Sequence, residues 1–362
     1  MNAKYHVDPQ IKKAETLPAS FYRDPEAYES IKEKVFLKSW HWVGDDSLVS
    51  GERNTHPFQL LPSCLDEPML LTRNGENQFS CLSNVCTHRG NLVVGKARKT
   101  KKLICRYHGR RFNLQGKFEH MPEFEEAEGF PRSCDHLPAF PLKKWGPFLF
   151  TALEPAFDFD PVLKAMDERI GFMPLQKFRL DPSRSKSYDV KAHWALYCDN
   201  YLEGFHIPFV HEDLNQVLDY GAYETVLYPH TNLQVGYAEG TEEVFDFPEG
   251  HMDYGKSIAA YYFWVFPNMM FNFYPWGLSV NLVEPRSINS TKVTFLSYVY
   301  DASKLDKGAG SVLDKVELED EEVVEGVQKG IQSRYYNTGR FSPTREQGVH
   351  HFHSLLSQFL NS

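Results

Sequence analysis

Cysteine is sparse in this sequence, with six residues in 362, so a disulfide framework like that of small secreted domains is not expected. No apolar run reaches the roughly 18 residues of a membrane-spanning helix, and none is predicted. Positively charged residues are outnumbered: the chain has 39 Lys and Arg and 48 Asp and Glu, which gives a net charge of −9. This balance argues against nucleic acid or an anionic membrane as a partner.

Two further absences bear on location and on electron supply. Residues 1–22 contain no apolar segment of the secretory-signal type, so the cytoplasm is the expected location. The sequence has no G-x-G-x-x-G after a strand, no flavin signature and no plant-type ferredoxin cysteine set. The chain is therefore not expected to take electrons from NAD(P)H by itself, and a separate reductase is expected.

The order of local patterns predicts an α+β protein. Helical sequence at 1–40 is followed by short β-like segments with Gly, Asn and Pro punctuation over 41–155. Residues 156–362 then mix a helix at 194–206, strands over 258–300 and a helix at 312–333. A small all-β domain (41–155) inserted into a larger α+β domain (1–40 and 156–362) fits this order.

Four side chains in the β-like region have the spacing of metal ligands. Cys86-x-His88 is followed after sixteen residues by Cys105-x-x-His108. They could be buried thiols and hydrogen-bonded histidines, or a zinc site, although zinc-finger spacing pairs cysteine with cysteine. One Cys and one His in each half suits a Rieske [2Fe–2S] cluster, in which two Cys hold one iron and two His hold the other.

A second set of ligands is suggested by residues 199–211, where Glu203, His206 and His211 occur in sequence. Alone the pattern is weak, and a helix carrying a satisfied core histidine would explain it. Glu203 and His206 would share one helical face, whereas Pro208 discourages the helix from continuing, so a break could bring His211 to the same point. Two histidines and a carboxylate form the facial triad of non-heme Fe(II) oxygenases.

Periodicity in the helix predicted at 312–333 selects the carboxylate. Apolar residues at helical spacing form one stripe, and Asp320 falls within it. An aspartate on a buried stripe is costly unless it is paired or binds metal, so Asp320 is the predicted third ligand. The stripe comprises Leu313, Val316, Val324, Val327 and Ile331, while Glu317, Glu319, Glu321, Glu322 and Glu325 are predicted to be solvated.

With these motifs the sequence resembles the Rieske non-heme iron oxygenases over nearly its whole length. The resemblance implies a Rieske domain inserted into a helix-grip (START/SRPBCC-like) catalytic domain with an antiparallel sheet, and the acidic stretch before Glu325-x-Val-Gln-x-Gly again picks Asp320. One departure is Arg110, where the family often has Trp, which we expect to affect the docking surface or the surroundings of the cluster.

The resemblance also implies an assembly. In such enzymes a head-to-tail trimer passes electrons between subunits through an acid that bridges a cluster histidine and an iron histidine. Here that acid is Glu203, linking His206 to His108 of the neighbour, and Asn200 matches the family's lead-in. The reductase would contain flavin and iron–sulfur groups, with a ferredoxin as a further option. Asn200 to His206, with Glu at the bridge, resembles the choline and carnitine monooxygenase branch.

The substrate is the least determined property. Residues 259–285 are dense in aromatics, as a site for a methylated cation such as choline, carnitine or betaine requires, and Tyr262 and Trp264 are the predicted cage residues. Packing of these rings in the core is an alternative for each one. The same rings would also accept an aromatic or heteroaromatic substrate by stacking. A Rieske electron carrier without catalytic iron is the alternative from another class, but it leaves the C-terminal region unexplained.

Overall fold

The chain divides into two compact units in a computed structural model, which describes residues 4–51, 54–211, 219–238, 243–305 and 313–362. The inserted unit is Leu37–Ala156, and the two-segment unit combines Met1–Phe36 with Phe157–Ser362. These divisions lie close to the predicted boundaries at 40/41 and 155/156. None of the described helices is both long enough and apolar enough to cross a membrane.

The inserted unit contains three antiparallel sheets, with strand orders β1-β10-β9, β2-β3-β4-β8 and β5-β6-β7. Its strands are β1 Trp40–Asp45, β2 Thr55–Leu60, β3 Glu67–Arg73, β4 Phe79–Ser83, β5 Leu103–Ile104, β6 Arg111–Phe112, β7 Phe118–His120, β8 Ala139–Phe140, β9 Leu142–Trp145 and β10 Phe148–Ala152.

The entry and exit of the inserted unit lie side by side. Strand β1 pairs with β10. Beyond these strands, Glu154 N donates to Leu37 O at 3.2 Å and Ala156 N donates to Lys38 O at 2.8 Å. Backbone hydrogen bonds within the unit therefore join its first and last segments.

The two-segment unit is built on an antiparallel sheet of order β11-β18-β17-β16-β15-β14-β13, in which β12 also pairs with β18. Its strands are β11 Arg179–Leu180, β12 Lys186–Val190, β13 Glu224–Tyr228, β14 Thr231–Tyr237, β15 Ile258–Val265, β16 Met269–Tyr274, β17 Gly277–Ser287 and β18 Ser290–Val299. The helices are α1 Ala19–Arg23, α2 Pro25–Ile31 (continued by a π-helical turn, Lys32–Phe36), α3 Asp160–Ile170, α4 Trp194–Tyr201, α5 Ile207–Val210, α6 Leu313–Gly330 and α7 Gln347–Asn361.

The central strands of this sheet are covered on both faces, which explains why β15 and β16 are almost uniformly apolar. On one face, Phe245 stacks on Tyr261 with ring centroids 5.3 Å apart. On the other, Phe352 of α7 packs edge-on against Trp264 at 5.1 Å and against Trp194 of α4 at 5.7 Å. Helix α7 thus packs both on the sheet and against α4.

Helix α4 is fixed at its C-terminal end by a buried histidine of α7. Leu17 N donates to His353 Nδ1 at 3.0 Å, so Nε2 carries the ring proton and donates to Asp199 Oδ1 at 2.9 Å. The Tyr22 hydroxyl donates to the other oxygen of Asp199 at 2.9 Å. These bonds join the N-terminal segment, α4 and α7 at one point.

The N-terminal end of α4 is capped by His193, whose Nδ1 accepts from Ala195 N at 3.2 Å. The side chain is buried against the rings of Phe21 and Tyr22, and this burial lowers the pKa of His193 to about 3. The imidazole is therefore neutral in the folded protein across the ordinary pH range.

Replacing His193 with Asn is expected to reduce the loss of folding stability that occurs when the pH falls from 7 to 5. In the unfolded chain a histidine has a pKa of about 6.5. Below that pH the histidine of the unfolded state binds a proton, whereas in the native state it binds one only near pH 3. The free energy of unfolding therefore falls between about pH 6.5 and pH 3. The wild type should lose about 2 kcal/mol more than the variant, which keeps a capping acceptor, between pH 7 and pH 5. Urea unfolding at the two pH values measures this, and equal losses would contradict it.

Candidate active site

The Cys and His pairs of the inserted unit lie on two loops with the same backbone pattern. In the first, Gly90 N donates to Cys86 O at 3.0 Å and Cys86 N donates to Asn91 O at 2.8 Å. In the second, Gly109 N donates to Cys105 O at 3.0 Å, and Cys105 N donates to Arg110 O at 2.9 Å. Both glycines have positive φ, which a tight turn of this kind requires.

The four side chains form a site with sulfur inside and imidazole at the rim. Cys86 and Cys105 are buried, His88 is half-buried and His108 is exposed, and the two Nδ1 atoms are 3.1 Å apart. Burial opposes ionisation of Cys105, but hydrogen bonds from nearby backbone N–H groups and from the Asn91 amide lower its pKa overall. Two thiols on one side and two converging imidazoles on the other fit the donor set of a Rieske cluster.

Arg110 is buried, with its guanidinium about 5 Å from the ring centres of Phe118 and Phe130. It donates to Asp135 Oδ1 at 2.7 Å and to the Asp135 carbonyl at 3.1 Å. The Thr87 hydroxyl, from the other loop, donates to the same carbonyl at 2.9 Å. Of the two effects expected from the sequence, Arg110 therefore fits a change in the surroundings of the cluster rather than in a docking surface, and through Asp135 it supports both loops.

The second set of predicted ligands begins where α4 ends. The predicted length of this helix was wrong, although the predicted ligands do come together. The helix predicted over 194–206 stops at Tyr201, and Glu203 and His206 lie in the turn that follows. A β-carbon on Gly204 would lie 2.9 Å from the Tyr223 ring, so this turn needs glycine.

The turn is held by the carboxylate of Glu203, which accepts the backbone N–H groups of Phe205 and, at 3.0 Å, of His206. Pro208 does not break a helix but occupies the first turn of α5, where its missing N–H has no partner to lose. Helix α5 ends at Val210, and this places His211 back beside His206.

The structure brings His206, His211 and Asp320 to one point. The two Nε2 atoms are 3.1 Å apart, and Asp320 Oδ1 is 3.0 Å from His211 Nε2 and 3.5 Å from His206 Nε2. Ligands at right angles and about 2.1 Å from a first-row metal stand about 3.0 Å apart. The three atoms therefore have the spacing of three cis ligands and fit the facial triad of non-heme iron.

Each imidazole is oriented by a carboxylate on its other nitrogen. Glu203 Oε1 is 2.7 Å from His206 Nδ1, and Glu319 Oε2 is 2.8 Å from His211 Nδ1. These contacts direct both Nε2 atoms towards the metal position. Burial acts to lower the pKa of His211, but Asp320 and Glu319 outweigh it and raise the pKa, so protons and metal compete for this ring.

Glu319 and Glu317 are functional candidates that the periodicity argument missed. Both were predicted to be solvated, but Glu319 orients His211 and Glu317 accepts from the Tyr197 hydroxyl at 2.5 Å. The predicted apolar stripe of α6 is buried at Val324 and Ile331, whereas Val327 is 46% exposed. The side chain of Leu313 lies outside the described residues.

A cavity of about 90 Å³ opens beside the three ligand atoms. Tyr262 lies in its wall, as predicted, and Asn200 and Glu203 also border it. Trp264, two residues along β15, is not among its lining residues, because its ring packs under α7 against Phe352. Trp264 is therefore a buried core residue and does not border the cavity. The lining comprises Asn200, Tyr201, Glu203, His206, Ile207, His211, Tyr223, Gln234, Tyr262, Asn272, Tyr274, Asn281, Val316, Glu317 and Asp320.

Family models match both regions of the chain that contain these candidate ligands. Residues 39–141 match the Rieske [2Fe-2S] domain, and residues 179–362, just over half of the chain, match the Ring hydroxylating alpha subunit (catalytic domain). The chain belongs to the ring-hydroxylating alpha-subunit family. It is therefore an oxygenase with a Rieske cluster and a mononuclear iron, as predicted, and the alternative of an electron carrier leaves its catalytic domain without a role.

Curated relatives of this oxygenase match along most of their length. Choline monooxygenase, chloroplastic, from Arabidopsis thaliana is 28% identical, with 96% of this chain and 84% of the relative covered. The carnitine monooxygenase oxygenase subunit of Escherichia coli (strain K12) is also 28% identical, with 96% and 94% covered.

Solved structures confirm the predicted fold class. The quaternary ammonium Rieske monooxygenase CntA in complex with L-carnitine superposes with a TM-score of 0.74 at 21% identity, covering 99% of this chain and 97% of that one. Naphthalene 1,2-dioxygenase from Rhodococcus sp. gives a TM-score of 0.72 at 15% identity, covering 96% and 94%. The oxygenase thus has an all-β Rieske domain inserted into a catalytic domain with a large antiparallel sheet.

Replacing Asp320 with Ala is expected to remove the mononuclear iron and turnover while sparing the cluster, because the Cys and His loops are untouched. Metal analysis should fall from about three iron atoms per chain to about two, with an unchanged visible spectrum of the cluster. Glu322→Ala, at an exposed site on the same helix, is the matched control. Three irons in the Asp320 variant would rule out this residue as a ligand.

Replacing Arg110 with Met is expected to destabilise the inserted unit by about 3 kcal/mol or more, because Asp135 is left buried without its cation. Loss of the cluster's visible absorbance on heating reports unfolding of this unit. Arg111→Met, at the exposed neighbouring position, is the control. Equal midpoints for the two variants would show that the buried ion pair adds nothing to the stability of the cluster loops.

Proposed function

We propose that this oxygenase inserts an oxygen atom into a C–H bond of a small quaternary ammonium compound. The observation that carries the proposal is the cavity, in which four tyrosine rings stand around a space beside the iron ligands. The relatives named choline monooxygenase and carnitine monooxygenase support the same substrate class.

The cavity suits a methylated cation because four of its lining residues are tyrosines with neutral rings. Tyr201, Tyr223, Tyr262 and Tyr274 border it, and burial raises the pKa of all four phenols, so the rings are neutral. A quaternary ammonium group donates no strong hydrogen bonds, but each aromatic face attracts it by about 0.5–2 kcal/mol. Several rings around one space therefore provide both recognition and desolvation.

The size of the cavity favours a small substrate. At roughly 10–15 Å³ for each water-sized group, a volume of about 90 Å³ holds roughly six to nine such groups. This matches the trimethylammonium head with a short tail better than a polycyclic ring system.

Iron bound by the triad would supply the activation of O₂, and the residues of the chain position the other reactants. One oxygen atom enters the C–H bond and the other leaves as water, which consumes two electrons and two protons. If the attacked carbon is one of the N-methyl groups, the hydroxymethyl ammonium product breaks its C–N bond to give a tertiary amine, formaldehyde and a proton, which is N-demethylation. The tyrosines hold the cation so that one carbon faces His206, His211 and Asp320.

Electrons come from NAD(P)H through a separate reductase and cross between subunits of a homotrimer. Glu203 supports this route because it holds His206 and also borders a second recess, of about 270 Å³. Apolar side chains near each end of the route are exposed: Tyr107 and Ile104 beside His108, and Phe209 beside His211. A neighbour's cluster tip docked at this recess would bring its His108 to Glu203.

Substrate-stimulated NADH consumption with a surrogate reductase tests the proposed function. Choline, L-carnitine and glycine betaine are each compared with the neutral isostere in which carbon replaces nitrogen. The cations should stimulate consumption about tenfold or more over their isosteres, since the isosteres lack the attraction to the rings. Stimulation by naphthalene or indole instead would favour an aromatic substrate, and equal rates with charged and neutral partners would remove the ammonium proposal.

A further inference from the structure

The two faces of the large sheet differ in polarity where it borders the substrate cavity. Side chains alternate between the faces along each strand, so residues paired across neighbouring strands share a face. On the face away from the cavity, the paired positions of β14 to β17 carry Leu, Val, Phe and one Tyr. They are Leu233, Phe263, Phe271 and Val280 and, two positions along, Val235, Tyr261, Phe273 and Leu278.

A polar row crosses the cavity face of the same strands. It runs through β14, β15, β16 and β17 as Gln234, Tyr262, Asn272 and Ser279, each paired with the next. Asn281 follows Ser279 by two residues and so shares this face. Apart from Tyr262, which is half-buried, these side chains are buried. Burial of an amide or a hydroxyl is costly unless a hydrogen bond compensates it, so each needs a partner.

Gln234 and Ser279 have their partners within the protein. Gln234 Nε2 donates to Tyr201 O at 2.8 Å, and its Oε1 accepts from the Tyr223 hydroxyl at 3.4 Å. Ser279 Oγ donates to Asn281 Oδ1 at 3.0 Å. The role of these two side chains is therefore to hold the wall of the cavity in shape.

Asn272 and Asn281 are bound by the protein at their oxygen ends. Asn272 Oδ1 accepts from the Tyr201 hydroxyl at 2.6 Å, and Asn281 Oδ1 accepts from Ser279. Both residues border the cavity, although only 5% and 3% of their surfaces are exposed. With the oxygens engaged, the NH₂ groups are the ends that this wall presents to a ligand. The group that satisfies such donors is an oxygen atom with lone pairs.

The two amides are close enough to act on one atom. Asn272 is paired with Ser279, which makes Asn281 its diagonal neighbour, and such neighbours are about 7–8 Å apart on one face of an antiparallel sheet. Side chains of this length can each reach an oxygen atom placed between them. Tyr262 is paired with Asn272, and Tyr274 follows it by two residues, so the amides adjoin the rings that attract the cation.

We propose that Asn272 and Asn281 bind an oxygen atom of the substrate, so that the cavity selects quaternary ammonium compounds with a hydroxyl or carboxylate over purely alkyl ones. This rests on the proposed function and narrows it, because it names a second group that the site recognises. A cation without such an oxygen expels water from the two amides and leaves their buried N–H groups unpaired. The rings thus attract any small methylated cation, while the amides reject those that cannot accept a hydrogen bond.

Calorimetric binding to the iron-loaded oxygenase without O₂, together with kcat/KM, tests the inference. Each oxygen-bearing cation is compared with an alkyltrimethylammonium of the same chain length: ethyl for choline and glycine betaine, and butyl for L-carnitine. At least one oxygen-bearing cation should bind about 30-fold or more tightly than its alkyl partner, because it alone pairs both amides. Preference for choline identifies a hydroxyl as the bound group, and preference for betaine identifies a carboxylate. Equal binding within all three pairs would overturn the inference.

Asn281→Ala is the sharper variant, because Asn272 also holds Tyr201. For the preferred pair, the ratio of the two Kd values should fall about tenfold in Asn281→Ala, since only the oxygen-bearing cation loses a hydrogen bond. The ratio is used because it does not depend on the fraction of active protein. The exposed control Asn337→Ala should keep the wild-type ratio.

The outcomes separate this inference from the function on which it rests. An unchanged ratio in Asn281→Ala would show that the amides do not recognise the substrate, although the ammonium function would stand. If no cation binds better than its neutral carbon isostere in the wild type, the proposed function itself fails.

Discussion

Three atoms with the spacing of metal ligands, one of them negatively charged, are held within 3.5 Å of one another in the two-segment unit, and much of its architecture keeps them there. Free imidazole rings would turn away from such a point. Glu203 and Glu319 prevent this by binding the outer nitrogen of each ring. Their backbones are positioned in turn by α4, which His193 and His353 fasten at its two ends, and by α6. Glu203, which orients His206, also borders the neighbouring cavity.

The parts of both sites that depend on local pattern could be predicted from the sequence. The four candidate cluster ligands were selected from their spacing, since two short loops must each present a thiol and an imidazole. Asp320 was selected as a candidate because a carboxylate on an apolar stripe needs a partner. The family and fold comparisons then confirmed the oxygenase class and the fold class. The Cys and His spacing and the apolar stripe around Asp320 are each patterns that lie within a stretch of about twenty residues of the sequence.

The parts that depend on tertiary packing could not be predicted. Helical periodicity places Glu319 outside the apolar stripe of α6, but it does not show that His211 lies beside that flank. Tyr262 and Trp264 are equivalent in the strand pattern, and only the position of α7 decides that one borders the cavity and the other is covered. For Arg110 the sequence left the docking surface and the surroundings of the cluster as alternatives, because nothing near it in sequence reveals its ion pair with Asp135.

The adjacent entry and exit of the inserted unit have a consequence for the order in which the chain folds during synthesis. Once Ala156 has left the ribosome, every strand of that unit is available and its base can close. The two-segment unit has to wait, because a bond such as that from Leu17 to His353 spans 336 residues. A nascent chain can thus carry a finished cluster-binding unit, ready to receive iron and sulfide, while the helix that completes the second metal's surroundings is still being translated.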